Sequence, residues 1–278
     1  MTQTIHVTHS PDSDDAFMFY ALAEGLVDTP IRYVHELSDI ESLNQRALKG
    51  ELEVSAVSIH AYAHLADRYA LLASGSSMGD GYGPRLVSLA PTPSDPRAAT
   101  RGLRVAIPGK FTTAALVLEL YQPEFMPVLM AFDAIEEAVH AGTVDLGLLI
   151  HEGQLTYADT GLHLWEDMGD WWKRDTGLPL PLGGNVVRRD LGSAVVEQIA
   201  KDLKASVEYA LEHRQAALRH AMQYSRGLSD ERADTFVGMY VNQWTVDYGP
   251  IGRRAVQVLL DRASAAGLVP TTRVEFAG

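Results

Sequence analysis

The stretches ALKGELEVSAVS and AVHAGTVDLGLL, far apart in the chain, follow one pattern: helix end, glycine, apolar residue, acid, then an apolar run. Gly50 with Glu53 matches Gly142 with Asp145. A glycine just past a helical pattern stops the helix, because it takes up the left-handed backbone without a Cβ penalty. The short apolar run that follows reads as a buried strand. Strands precede each copy, TIHVT and IRYVHEL before the first, GLRVAIPG and PVLMAF before the second. Strand, helix, strand with short connections favours parallel pairing, so the echo predicts two α/β units of similar construction instead of one long sheet.

With 278 residues the chain is long enough for two such units. The polar, proline-rich segment PTPSDPRAATRG is the natural crossover, and PLPLGGNVVRRDL supplies a return strand. We therefore expect a larger, discontinuous lobe of residues 1–99 plus 184–278 and a smaller lobe of residues 100–183. From Ser193 onward the pattern is mostly helical, and these helices should complete the first lobe and brace the second.

Hydrophobic residues at 46% and charged residues at 21% describe an ordered globular chain. A formal charge of −13, from 36 acidic residues against 23 Lys and Arg, argues against nucleic acid or an anionic membrane as the main partner. A small-molecule partner stays open. Without cysteine there is no disulfide, thiolate metal site or cysteine nucleophile, which is consistent with the cytosol. No secretory leader pattern opens the sequence and no run reaches the roughly 18 apolar residues of a membrane span, so no membrane association is expected. The oligomeric state is left open, a homodimer included.

In an open parallel sheet, ligands sit beyond the carboxyl ends of the strands. That rule collects Ser10 with Asp14, Ser58, Gly109 with Thr112 and Thr113, and His151 with Glu152. The loop PGKFTT leads into a helix whose unpaired first-turn amides favour an anion, with Thr112 and Thr113 as further donors; the bland alternative is that Thr112 only caps the helix. SPDSDD reads as a turn and N-cap before AFMFYAL. Its carboxylates, Asp12, Asp14 and Asp15, suggest a divalent cation, but no further acidic ligand falls at a recognised spacing, so no metal is expected. His151 ends the run LGLLI; it is either a strand-end histidine bonded to a carbonyl or a general base, its ordinary pKa lying near 6.5. His60 and His64, placed i, i+4 on a helix, lack the glutamate and third ligand of a zinc site. Trp165, Trp171 and Trp172 read as packing, and no GxGxxG, GxxxxGK[ST] or GxSxG occurs.

Taken in order, SPDSDDAFMFYAL, SLNQRALKG, VSIHAYAHL, IPGKFTTAALVL, LIHEGQLTY and TGLPLPLGGNVVRRDLG resemble the 1,4-dihydroxy-6-naphthoate synthase family of the futalosine route to menaquinone, related to chorismate dehydratase of the same route. The resemblance spans nearly the whole chain. It implies a fold like that of type II periplasmic binding proteins, two α/β lobes with a ligand cleft between them, and a lyase reaction without a cofactor. In it, cyclic dehypoxanthine futalosine becomes 1,4-dihydroxy-6-naphthoate with loss of a sugar-derived fragment.

By the same resemblance the histidine of LIHE, here His151, is the proton acceptor. Ala56, Val57 and Ser58 contact substrate, as do Thr112 and Thr113; Asn44, Ser10 and Asp14 are further candidates. The substrate carries a carboxylate. The first loop departs from the family's SPCPNDTF: an asparagine becomes Asp14 and a threonine becomes Ala16, which alters the cleft wall. Two other readings stay open, the sister dehydratase and a non-catalytic solute-binding protein.

Overall fold

The computed structural model describes residues 3–224 and 229–278. Two sheets carry the chain. The first holds β1 (Gln3–His9), β2 (Ile31–Leu37), β3 (Val54–Ser58), β4 (Tyr69–Leu72) and β5 (Ser77–Gly79). The second holds β6 (Arg85–Ser88), β7 (Arg104–Ile107), β8 (Met126–Leu129), β9 (Leu146–Leu149) and β10 (His163–Asp167). The chain then returns to the first sheet through β11 (Leu180–Arg188) and ends there with β12 (Phe276–Ala277).

The strand order is β12-β4-β11-β3-β1-β2 in the first sheet, with β5 on β11, and β10-β6-β9-β7-β8 in the second. β1 lies parallel to β2 and β3, and β7 lies parallel to β8 and β9. The sequence echo is thus a structural one, and its conserved-looking acid has the same task in both halves. Glu53 accepts the amide of His6 in β1 at 2.8 Å, and Asp145 accepts the amide of Arg104 in β7 at 2.8 Å. Each acid ties the start of a strand to its parallel neighbour, satisfying a donor the ladder leaves over. Gly50 and Gly142, at φ of 78° and 68°, close the preceding helices as expected.

Sheet membership places the crossovers at 79–85 and 167–180, whereas the sequence boundaries lie at 99/100 and 183/184. The difference is β6. Residues 85–88 fall inside the expected first lobe, but as β6 they pair antiparallel with β9 and β10 of the second sheet. The crossovers touch: Met168 donates its amide to Pro84 at 2.9 Å, and a Cβ on Gly169 would fall 1.9 Å from the Tyr82 carbonyl oxygen. Only glycine permits that approach.

One apolar core runs between the sheets and includes Tyr62, Leu116, Leu148 and Trp172. A second, with Phe17, Phe19 and the helix Ser193–Glu212, covers the outer face of the first sheet. A third, around Ile135 and Val139, covers the second sheet. Trp172 is fully buried and Trp165 nearly so, so these indoles pack and do not line the cleft. The expected AYA helix is a single turn, Ile59–Tyr62; His64 lies beyond it, with its ring 6.0 Å from that of His60. Among the described residues no helix is long and apolar enough to cross a membrane.

Candidate active site

A cleft of about 730 Å³, counted to its open mouth, lies where the strand ends of both sheets meet. Of the residues picked out from sequence, Ser10, Asp14, Ala56, Val57, Ser58, Thr112, Thr113 and His151 all line it. Asn44 stands behind them: it donates to the Ser58 hydroxyl at 3.1 Å and accepts the Ser58 amide at 2.9 Å. It therefore fixes the end of β3 from beneath, fully buried.

The first wall is the loop after β1. Ser10 donates its hydroxyl to Asp12 at 2.6 Å and its amide to Asp15 at 2.8 Å, so the loop is closed on itself. Burial, then the neighbouring charges of Asp15 and Asp12, push the Asp14 carboxyl well above the usual carboxylate range. Asp15 is pushed up to about 6 by burial, against the Ser10 amide that favours its anion. Among the described residues no group of three or more His, Asp or Glu side chains is arranged to hold a metal ion.

The second wall is the start of the helix Thr113–Tyr121. Thr112 is its N-cap, accepting the Ala115 amide at 3.3 Å and donating to Gly109 at 2.8 Å. Thr113 donates to the Leu182 carbonyl at 2.6 Å and accepts the His60 amide at 3.2 Å. Both hydroxyls are thus engaged by protein. The donors this helix start offers a ligand are its first-turn amides, which have no acceptor within the helix.

The floor was not legible from sequence. Gly183, Gly184 and Asn185 of β11 pair antiparallel with Ser58, Val57 and Ala56, so a strand far along the chain completes the β3 contact surface. Asn185 donates to Gly75 at 2.8 Å, while its Oδ1 is buried without a partner among the described residues. Phe236, Tyr240 and Gln154 close the cleft from the helical tail and the β9 loop, with the Tyr240 hydroxyl 2.6 Å from the Gln154 amide. Gln154 lies within LIHEGQLTY without being singled out there, and no motif marks Phe236 or Tyr240, which arrive by tertiary packing alone.

His151 sits where β9 ends, at φ 52°, the sole non-glycine positive φ among the described residues. Histidine tolerates this left-handed position better than most side chains, and such backbone is held only where its surroundings determine it. The twist separates the pair His151-Glu152. His151 lines the cleft, whereas Glu152 lines a second hollow on the far side with Phe132, Glu136 and Arg232. The His151 Nδ1 lies 3.0 Å from Asp12 Oδ2, a contact made across the cleft, and the Phe132 ring meets the imidazole edge-on at 4.8 Å. Burial disfavours the imidazolium, yet the charge and hydrogen bond of Asp12, with Glu152 and Asp14 beyond, outweigh it and lift His151 to about 9. The site joins a histidine in a carboxylate field to helix-end donors in an enclosed cleft, the parts a proton abstraction requires.

A protein of Archaeoglobus fulgidus, known from its crystal structure, superposes with a TM-score of 0.91 at 47% identity, over 96% of this chain and 98% of that one. The aliphatic sulphonate binding protein of Escherichia coli superposes at 0.65 with 14% identity, over 99% of this chain and 91% of that one. The latter shows the fold alone, that of the two-lobed periplasmic binding proteins. In sequence, the 1,4-dihydroxy-6-naphthoate synthase of Thermus thermophilus is 42% identical over 99% of both chains. That of Streptomyces coelicolor is 37% identical over 96% of this chain and 95% of its own. Residues 5–265 match the model of a family described as menaquinone biosynthesis. A fold, a cleft and a likeness that each run the length of the chain agree, and the chain belongs to the menaquinone biosynthesis family.

Proposed function

We propose that this protein is a cytoplasmic, cofactor-independent 1,4-dihydroxy-6-naphthoate synthase, a lyase that converts cyclic dehypoxanthine futalosine with His151 as the proton acceptor. The observation that carries the reading is 42% and 37% identity to two synthases over nearly the full length, together with His151 facing the cleft. The imidazole takes a proton from the substrate carbon skeleton, and the electron pair released forms an enolate whose collapse expels the sugar-derived fragment and leaves an aromatic ring. The helix-start amides after Thr112, with Ser58, supply donors for the enolate oxygen or the substrate carboxylate. Local donors set the field there, so the net charge of −13 does not oppose an anionic substrate.

A proton acceptor lifted to about 9 is mostly protonated at neutral pH. The expected kcat/KM therefore rises about tenfold per pH unit on the acid side of that value.

The test is turnover by the purified protein of cyclic dehypoxanthine futalosine and, in parallel, of chorismate, with products identified by mass spectrometry. Formation of 1,4-dihydroxy-6-naphthoate supports the reading. Dehydration of chorismate would assign the sister activity, and tight binding without conversion of either would make this a binding protein.

A further inference from the structure

The loop after β1 contributes a side chain that the proposed reaction has not used. Asp12 is 1% exposed, and its Oδ2 sits 3.0 Å from His151 Nδ1 and 2.6 Å from the Ser10 hydroxyl. Both neighbours are donors directed at one carboxylate oxygen, the arrangement of an anion held in place. The Asp12 carbonyl in turn accepts the Ala16 amide at 3.0 Å, and Ser10 is fastened to Asp15. The carboxylate is thus carried on a braced turn, not on a free side chain.

We infer that Asp12 is the positioning residue of an Asp12–His151 pair, fixing the imidazole tautomer and orientation for proton abstraction. The inference rests on the synthase reading. In the neutral ring, with Nδ1–H donated to Asp12, the nitrogen left for substrate is Nε2, which then carries the free lone pair. The step balances: the substrate C–H bond breaks, an Nε2–H bond forms, the electron pair remains with the substrate, and Asp12 keeps its charge beside the new imidazolium. Fixing which nitrogen is free is a known task for a carboxylate behind a catalytic histidine, since the wrong tautomer presents a donor where an acceptor is required.

The two partners come from different sheets, Asp12 from the end of β1 and His151 from the end of β9. The pair therefore exists only with the cleft walls held together, and a molecule with parted walls would carry a base without its orienting partner. The other charged groups facing the imidazole are Asp14 and Asp15, in the helical turn that follows Asp12, and Glu152 beside it in the chain; the ring edge of Phe132 completes its surroundings. Asp12 is the one among them at hydrogen-bond distance.

The experiment is Asp12→Asn, which keeps the shape and an acceptor oxygen but removes the charge. Titration of the His151 ring nitrogens by ¹⁵N NMR, in protein without substrate, should show Nδ1 protonated in the neutral ring and a pKa near 9. In Asp12→Asn that pKa should fall by at least one unit. In the assay, the alkaline-going limb of kcat/KM should move down by the same interval, with kcat on its plateau reduced ten- to a thousandfold and KM little changed. Ser10→Ala, which leaves the charge in place, should move the limb far less. The same His151 pKa in both proteins, or a neutral ring protonated on Nε2, overturns the inference even if turnover is intact. An enzyme that turns over neither substrate while the titration behaves as described overturns the synthase reading instead. If Asp12→Asn does not fold, Asp12→Glu serves: a displaced carboxylate should retain a raised pKa and lose kcat.

Discussion

Two histidines at the ends of β1 and β9, His9 and His151, are pushed in opposite directions by their surroundings. His9 ends β1 and is 4% exposed; it stacks on Phe19 at 4.6 Å, approaches the Ser10 carbonyl at 3.0 Å and lies 3.4 Å from the ring of His35. Burial and the neighbouring His35 push it down to about 3, and burial, with His220, pushes His35 down to about 4. His151 also suffers desolvation but faces Asp12 and rises to about 9. Burial alone does not set the sign. An imidazole whose neighbours are an apolar ring, a carbonyl and a second imidazole is kept neutral, whereas one within 3.0 Å of a buried carboxylate is held charged until the pH approaches its raised pKa.

The largest effect should separate the two by function. His151→Asn removes the proposed base while leaving an amide that can still meet Asp12, and turnover should drop by about a hundred- to ten-thousandfold. His9→Asn removes a packed ring and should instead lower Tm, with kcat changed by less than about tenfold. Single-turnover assays with melting curves for both variants read this out. A His9 variant with wild-type Tm and no turnover would break the contrast.

The sequence announced much of this arrangement but not its decisive contact. The echo around Gly50 and Gly142 gave two parallel strand pairs because local periodicity and a helix-stopping glycine are short-range signals. The rule that ligands sit past strand ends then placed Ser10, Ser58, Thr112 and His151 around one cleft. What stayed hidden depends on contacts between distant segments. The membership of β6 in the second sheet is one such feature, because antiparallel addition to β9 and β10 leaves no local mark. Asp12 looked like a turn residue, since nothing near it in sequence reveals that residue 151 folds against it. Asn185, Phe236 and Tyr240 reach the cleft by the return of β11 and the packing of the tail, which no spacing encodes.

The contrast also predicts opposite slopes of stability against pH. His9 and His35 have folded pKa values below the ordinary 6.5, so as pH falls through 6.5 the unfolded chain takes up protons that the fold refuses. Stability drops on the acid side, by about 2 kcal/mol at pH 5 from His9 alone. His151 is the reverse case. Its folded value is raised, so its contribution is complete below 6.5 and is lost as pH rises through about 9. Melting curves from pH 4.5 to 9.5 should show both flanks. His35→Phe, which also removes a ring nitrogen buried without a partner among the described residues, should flatten the acid flank alone. Asp12→Asn should flatten the alkaline flank alone. A single variant flattening both would mean that the two histidines titrate as one cluster.

The smallest expected effect comes from Asp14, which stands in the first turn of the helix Ser13–Met18 that Asp12 precedes, and which makes no ion pair with the imidazole among the described residues. Burial and the charges of Asp15 and Asp12 raise its carboxyl, so it holds a proton in the fold at pH values where the unfolded chain has released it. Its sign follows: stability is lost as pH rises from about 3.8 through the folded value. Asp14→Asn supplies a permanently neutral amide of the same shape, and Tm should therefore increase more at pH 8 than at pH 5, by ~2–4 °C for each kcal/mol relieved. The same change removes a smaller contribution to the His151 shift than that of Asp12, so the imidazole titration should shift down far less than in Asp12→Asn. Measured by the same ring-nitrogen titration, equal shifts in the two variants would mean that the field of the whole acidic loop, and not the Asp12 contact, holds His151 charged.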